Sequence, residues 1–129
     1  MPTLFTRILS GQIPCHKVLE DERYFAFLDI RPVAPGHTLV IPKKETDYFF
    51  DLDDAELGGM MAFAKKIAHA LKRAVPCLKV GVMVAGLEVP HAHVHLIPIK
   101  HVHDLAFANA KSMPSEELAR LAEKIRSHL

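Results

Sequence analysis

The stretch Pro90-His91-Ala92-His93-Val94-His95-Leu96-Ile97-Pro98 constrains this chain more than any other. Its histidines alternate with Ala92, Val94 and Leu96, the period-2 pattern of a half-buried strand. Successive strand side chains point to opposite faces, so three imidazoles are expected on one face and the aliphatics on the other. At about 3.3 Å of rise per residue, neighbouring imidazoles are expected about 6.6 Å apart. Such a row can line a small anionic substrate from end to end. Pro90 and Pro98 are expected to bracket the strand, because proline is tolerated at strand ends rather than in the middle of a central strand.

The remaining elements follow from capping and periodicity. Thr3 can cap a short amphipathic helix carrying Leu4, Phe5, Ile8 and Leu9, with Gly11 closing it. Residues 15–20 and 23–29 read as hairpin strands joined across Asp21-Glu22. Residues 31–36 hold Pro32, Pro35 and Gly36 and read as a loop. Residues 37–41 form a third strand, with His37, Leu39 and Ile41 on one face. Asp53 suits a helix N-cap, with Glu56 three residues on and Leu52 and Leu57 at the hydrophobic-staple positions. Leu57, Met60, Met61, Ala64, Ile67, Ala68 and Leu71 recur at helical spacing until Pro76 stops the helix. Residues 78–85 are an almost continuous apolar run, which predicts a central strand buried on both faces. Ser115, Glu116 and Glu117 open a last helix with the stripe Leu118, Leu121, Ala122, Ile125 and Leu129. No linker divides the chain. One domain over residues 1–129 is expected, an antiparallel α+β arrangement of sheet and helices.

Composition removes several functional classes. Half of the 129 residues are hydrophobic, enough for a modest core. The formal net charge of +1 argues against a general nucleic-acid binder that works by neutralising phosphates. Cys15 and Cys77 form no CxxC pair and read as reduced packing residues. The amino terminus lacks a basic segment followed by an apolar one, and no apolar run reaches the roughly 18 residues of a membrane span. A soluble, cytoplasmic protein with no membrane partner is expected.

The histidine row admits four readings. Histidines scattered by chance on a surface leave the strict alternation inside an apolar strand unexplained. Two imidazoles at i and i+2 can both face a zinc ion, with a third ligand from elsewhere; Glu88 and Asp104 are the nearby carboxylates. A pH-sensing cluster is open as well, without a second motif to support it. The fourth reading is nucleophilic catalysis at phosphorus. Neutral imidazole is a good nucleophile near neutral pH, and a covalent intermediate divides one hard displacement into two easier ones. Flanking imidazoles then supply donors for the phosphate oxygens and the leaving group.

The segment His91-Ala92-His93-Val94-His95-Leu96-Ile97 resembles the His-φ-His-φ-His-φ-φ signature of the histidine triad (HIT) nucleotide hydrolases and transferases. Leu4-Phe5-Thr6-Arg7-Ile8, Gln12-Ile13-Pro14, Phe27-Leu28-Asp29-Ile30 and Pro35 to Lys43 resemble further blocks of that family, in the family's order. The likeness runs from about Thr3 to Ile99. It implies the HIT α+β fold: an antiparallel sheet of about five strands, one long helix, short terminal helices and homodimers. It also implies that His93 is the nucleophile and that His95 contacts the phosphate and the leaving-group side. His91 would orient its neighbours, with His37 behind in the relay. Asp29 would bind the ribose hydroxyls, and Phe5, Ile8, Phe27, Leu28 and Ile30 would wall the base pocket.

The expected activity is hydrolysis of a purine nucleoside phosphoramidate or a related ester at the nucleotide α-phosphate. It would proceed through a nucleotidyl-histidine, without cofactor. The alternatives are a nucleotide-binding or partner-binding module with little turnover, a dinucleoside polyphosphate hydrolase or nucleotidyltransferase, and a zinc-dependent hydrolase. Many members carry an Asn-Gly stretch and a Gly-Gln pair before the triad, where this chain has Val84-Ala85-Gly86-Leu87-Glu88. Gly86 can still bring a backbone N–H to an anion. Glu88 stands where a small hydroxyl residue is common, and its charge repels a polyphosphate. Thr3 and Thr6 stand where zinc-binding members carry cysteines, so no metal is assigned. His101, His103 and Asp104 read as solvated loop residues. Exhaustive EDTA treatment is accordingly expected to leave activity intact; loss of activity on chelation and its return with zinc would support the metalloenzyme instead.

Overall fold

Five antiparallel strands are the frame of the protein in a computed structural model that describes residues 2–129. They are β1 (Lys17–Glu20), β2 (Tyr24–Leu28), β3 (Thr38–Pro42), β4 (Lys79–Met83) and β5 (Val94–Ile99). Their order across the sheet is β1-β2-β3-β5-β4. The β1–β2 turn is made by the Asp21 carboxylate, which accepts the backbone N–H groups of Arg23 and Tyr24, both at 2.8 Å. A register shift between Lys17 and Leu19 bulges β1 near the sheet's outer edge.

Alternation along the strands divides the core in two. Tyr24, Ala26, Leu28, Val40, Val94 and Leu96 pack in one cluster with the buried faces of α2 (Asp54–Ala74) and α3 (Ser115–Arg126). Phe25, Phe27, Leu39 and Ile41 form the other, with Phe5 and Ile8 from α1 (Leu4–Leu9). The caps expected from the sequence are in place: the Thr3 hydroxyl accepts the Thr6 N–H and the Asp53 carboxylate accepts the Glu56 N–H. Helices α1 and α2 therefore start at fixed points, and α2 ends before Val75 and Pro76. Among the described residues no helix is long and apolar enough to cross a membrane.

Several expectations need correction. Residues 78–85 do not form a central strand: β4 is the sheet's outer edge, bonded only to β5, and Leu78 and Val82 are 67% and 49% exposed. An apolar run states that surface wants covering, not what covers it: α2 packs across β3, β5 and β4, and α3 over β1 and β2. The ladder of β5 begins at Val94, so His91 and His93 precede it; there the Ala92 N–H is bound to the Thr46 carbonyl instead. Pro98 lies inside β5 opposite Val80 rather than beyond its end. Phe63 and Ala70 join the buried face of α2 while Met61 is exposed, and Leu129 falls past the end of α3.

One close contact ties the sheet to α2. The Tyr24 hydroxyl donates to the Glu56 carbonyl at 2.9 Å, and a Cβ on Gly59 would collide with that hydroxyl oxygen. Alanine favours a helix over glycine by about 1 kcal/mol. Overpacking of this kind costs about 1–3 kcal/mol. Gly59→Ala is therefore expected to lower stability in urea denaturation, and adding Tyr24→Phe to recover part of the loss. A Gly59→Ala protein more stable than the parent would contradict this packing.

Candidate active site

The four histidines singled out by the sequence are all buried, and each ring has its proton position set by a partner. His91 Nε2 lies 2.8 Å from the Pro42 carbonyl oxygen. A carbonyl only accepts, so Nε2 carries a proton and Nδ1 receives the Thr3 hydroxyl at 2.9 Å. Nδ1 has only a lone pair to offer, so the Thr3 proton goes to it rather than to the Thr6 hydroxyl oxygen at 3.2 Å, and the Thr6 hydroxyl donates to Glu45 Oε1 at 2.7 Å. The same oxygen accepts the Thr3 backbone N–H at 2.9 Å. These bonds hold the carboxyl of Glu45 below the usual carboxylate range.

His93 Nδ1 lies 2.7 Å from the carbonyl oxygen of His91 and must donate to it. Its Nε2 then keeps a lone pair whenever the ring is neutral. Burial pushes the His93 pKa below the ordinary histidine value, against the opposing pull of that carbonyl. His95 is set the opposite way. The Val33 N–H donates to His37 Nδ1 at 3.0 Å, so His37 Nε2 carries the proton and donates to His95 Nδ1 at 2.9 Å. His95 is left with an Nε2–H. Burial, followed by His93 and His37, lowers its pKa to about 3. Burial also lowers that of His37, outweighing nearby Asp29. Adjacent rings thus offer a lone pair on His93 and a donor on His95.

The row differs from an ideal strand. The His93 and His95 ring centroids are 4.9 Å apart, edge to face, rather than about 6.6 Å. His91 and His93 both meet the Phe5 ring, at 5.7 and 5.0 Å, so the rings do share the α1 side of the sheet.

That side opens into a cleft of about 220 Å³ whose wall includes Phe5, Ile8, Phe27, Leu28, Asp29, Ile30, Glu88, His93 and His95. Leu28 borders it while its side chain belongs to the opposite cluster. His91 and His37 stand behind the wall. Gly86, with φ +75°, lies elsewhere, in a second cleft of about 350 Å³ that also has His93 in its wall. Asp29 holds the following turn through the Arg31 N–H at 2.9 Å, and its other oxygen is 3.8 Å from His37 Nε2. Asp29, His37 and His95 bring ligand-type atoms within 4.8 Å of one another. The nitrogen lone pairs involved are committed to the Val33 N–H and to the His37–His95 bond, which makes the two histidines a hydrogen-bonded relay with Asp29 beside it.

Three contributors were not legible in the sequence. Thr3 reads there only as a helix cap, and Glu45 as the charged end of a strand. Phe107 sits edge-on to His95 at 5.0 Å, on a segment tied to the Asp29 loop by Lys111 N–H to Pro32 O and Met113 N–H to Ile30 O. His101 and His103 are exposed and stacked on each other at 5.0 Å, and Asp104 caps the turn by accepting the N–H groups of Lys100 and His101.

The family model described as the HIT domain matches residues 10–103. An uncharacterized HIT-like protein of Borreliella burgdorferi is 39% identical over 102 residues, 74% of this chain and 73% of that protein. Adenosine 5'-monophosphoramidase HNT1 of Saccharomyces cerevisiae is 40% identical over 96 residues, 74% of this chain and 61% of the yeast protein. A crystal structure of a HIT-like protein involved in cell-cycle regulation from Bartonella henselae superposes with a TM-score of 0.86 at 36% identity. It covers 98% of this chain and 96% of that one.

The depressed histidine pKa values fix a pH dependence of stability. Unfolded histidines titrate near about 6.5, and His37, His93 and His95 bind protons less readily when folded. Stability is therefore fully present above that value and falls as pH drops toward the folded pKa, about 3 for His95. Thermal melts taken between about pH 7.5 and about pH 5 should show a falling Tm, with a shallower slope in His95→Gln. A flat profile in the parent would contradict neutral, buried imidazoles.

Proposed function

The chain belongs to the HIT-domain family, and from that premise we propose that it hydrolyses a purine nucleoside phosphoramidate, or a related ester at the nucleotide α-phosphate, releasing a nucleoside monophosphate. Members of the family are generally nucleotide hydrolases, and the yeast relative bears the name of an adenosine 5'-monophosphoramidase. The observation that carries the reading is the opposed pair of nitrogens, a lone pair on His93 Nε2 and a proton on His95 Nε2, at one cleft wall.

In the first step the His93 Nε2 lone pair bonds to phosphorus and the phosphorus–nitrogen bond breaks. The departing nitrogen keeps the electron pair and takes a proton that enters from water. His93 becomes a phosphorylated imidazolium, whose Nδ1–H strengthens its bond to the His91 carbonyl as positive charge develops. His95 donates its Nε2–H to a phosphoryl oxygen, where a fixed donor lowers the barrier without reorganisation. In the second step water attacks phosphorus, the phosphorus–His93 bond breaks with its electron pair returning to Nε2, and a proton of the attacking water passes to solvent. Asp29 accepts the ribose hydroxyls, and Phe5, Ile8 and Phe27 cover the base. The exposed outer edge of β4 supports assembly of two copies as a homodimer.

His93→Ala should lower turnover of an adenosine phosphoramidate by at least about 10³-fold. The folded variant should still bind the nucleoside monophosphate. Asp29→Ala, by contrast, should weaken that binding about 10- to 150-fold, the worth of a charged hydrogen bond. Full activity in a folded His93→Ala protein would overturn the mechanism.

A further inference from the structure

Phe107 is a large aromatic residue that packs into neither of the two apolar clusters. The aromatic ring it meets is that of His95, at 5.0 Å and edge to face. We propose that Phe107 is a positioning residue for the phosphate donor. It stops the His95 ring from swinging about its one hydrogen bond and keeps water off it, so that Nε2–H stays aimed into the nucleotide cleft. This rests on the hydrolase reading, which makes His95 the donor to phosphate, and adds a residue that does not itself line that cleft.

Three observations carry it. First, the bond from His37 to His95 Nδ1 at 2.9 Å decides which nitrogen holds the proton, but one bond leaves the ring an axis to turn about. The χ2 well of an imidazole is broad, so the torsion alone does not hold it. What remains is packing, by the rings of His93 at 4.9 Å, His37 at 5.1 Å and Phe107 at 5.0 Å. His93 and His37 are oriented by bonds of their own, and Phe107 is the ring without another task. Second, His95 is 5% exposed although it stands in an open cleft wall, and Phe107, at 37%, stands between it and solvent. Third, this cover is fastened. Phe107 opens a single 3-10 turn, Phe107–Asn109, whose Asn109 amide donates to the His103 carbonyl at 3.1 Å. Beyond the turn, the N–H groups of Lys111 and Met113 donate to the Pro32 and Ile30 carbonyls at 3.1 and 3.4 Å. The Arg31 guanidinium donates to the Ala110 carbonyl at 3.4 Å and the Ser112 hydroxyl at 3.3 Å. A ring tied on both sides in this way can hold a neighbour still. Burial is also the largest cause of the lowered His95 pKa, ahead of His93 and His37. The titratable groups around His95 are His37, His93 and Asp29, with Glu88 in the same cleft wall. His103, Asp104 and Lys111, which flank Phe107 in the chain, line a different cleft with Pro32 and Pro35. Replacing Phe107 therefore changes the solvation and freedom of His95 and leaves its charged neighbours in place.

The test follows the imidazole nitrogens by 15N NMR from about pH 8 to about pH 5 in the parent, Phe107→Ala and Phe107→Leu. In the parent, His95 should stay neutral throughout with its proton on Nε2. In Phe107→Ala it should lose that single signature, by taking up a proton as water reaches the ring or by mixing its tautomers. Phe107→Leu restores an apolar cover and should return most of the parent's behaviour. With an adenosine phosphoramidate, Phe107→Ala should lower kcat by about 10- to 100-fold, the scale of a group displaced by about 1 Å. Affinity for adenosine itself should be unchanged, because Asp29 and the apolar wall are untouched. A His95 ring that keeps the parent's signature in Phe107→Ala overturns the proposal. So does an unchanged kcat, or a loss confined to adenosine affinity, which would place Phe107 in the nucleoside wall. A Phe107→Ala protein that does not fold overturns it as well, since the ring would then be an ordinary core residue. The spectra need no turnover. If His95 responds as stated in a protein that cleaves no phosphoramidate, the hold of Phe107 on His95 stands and the hydrolase reading is refuted.

Discussion

The 2.7 Å hydrogen bond from His93 Nδ1 to the His91 carbonyl decides what this site can do. It commits one ring nitrogen to a proton and leaves the other with the lone pair that the proposed attack on phosphorus needs. A tautomer reversed at this ring would place a proton where a lone pair is needed. The bond is dependable because its acceptor is backbone, and that backbone is held from both ends of the His91 ring, by the Pro42 carbonyl and by Thr3. Thr3 is in turn held by Glu45 and begins the helix that carries Phe5. One short network thus links the cleft wall that carries Phe5 to the orientation of His93, the proposed nucleophile.

The second network runs in the opposite sense and has a different purpose. From the Val33 N–H through His37 to His95, each proton has one place, and the chain ends in a donor. Burial keeps His37, His93 and His95 below the ordinary histidine pKa, so the two networks do not collapse into a shared positive charge. Phe107 contributes to that burial from a segment late in the chain, anchored beside Asp29. The sheet supplies the rigidity: Leu39 and Met83 flank His95 on the neighbouring strands, and the opposite face is closed by α2 and α3.

Local pattern made much of this legible. The caps at Thr3 and Asp53, the turn at Asp21 and the alternation of β2 and β3 are short-range signals, and the structure follows them. The triad was visible as a pattern, and so was its shared face. What the sequence concealed was long-range. Nothing near residue 45 says that Glu45 meets Thr3 and Thr6, and nothing near residue 107 says that its ring meets His95. The run 78–85 looks central because hydrophobicity reports a need for cover and carries no information on strand order. Gly86 read as a phosphate contact on its backbone freedom, yet it borders the second cleft, because the loop after β4 leaves on the side of Tyr48 and Phe50.

The central claim is that phosphorus is transferred to a single nitrogen, Nε2 of His93. Rapid quench into alkaline denaturant, which preserves the acid-labile histidine–phosphorus bond, of the enzyme with a nucleotide labelled at the α-phosphate, followed by peptide mapping and assignment of the modified ring nitrogen, observes it directly. The label is expected on Nε2 of His93, transiently in the parent and absent in His93→Ala. A label on Nδ1 of His93, on His91 or on His95 would contradict it.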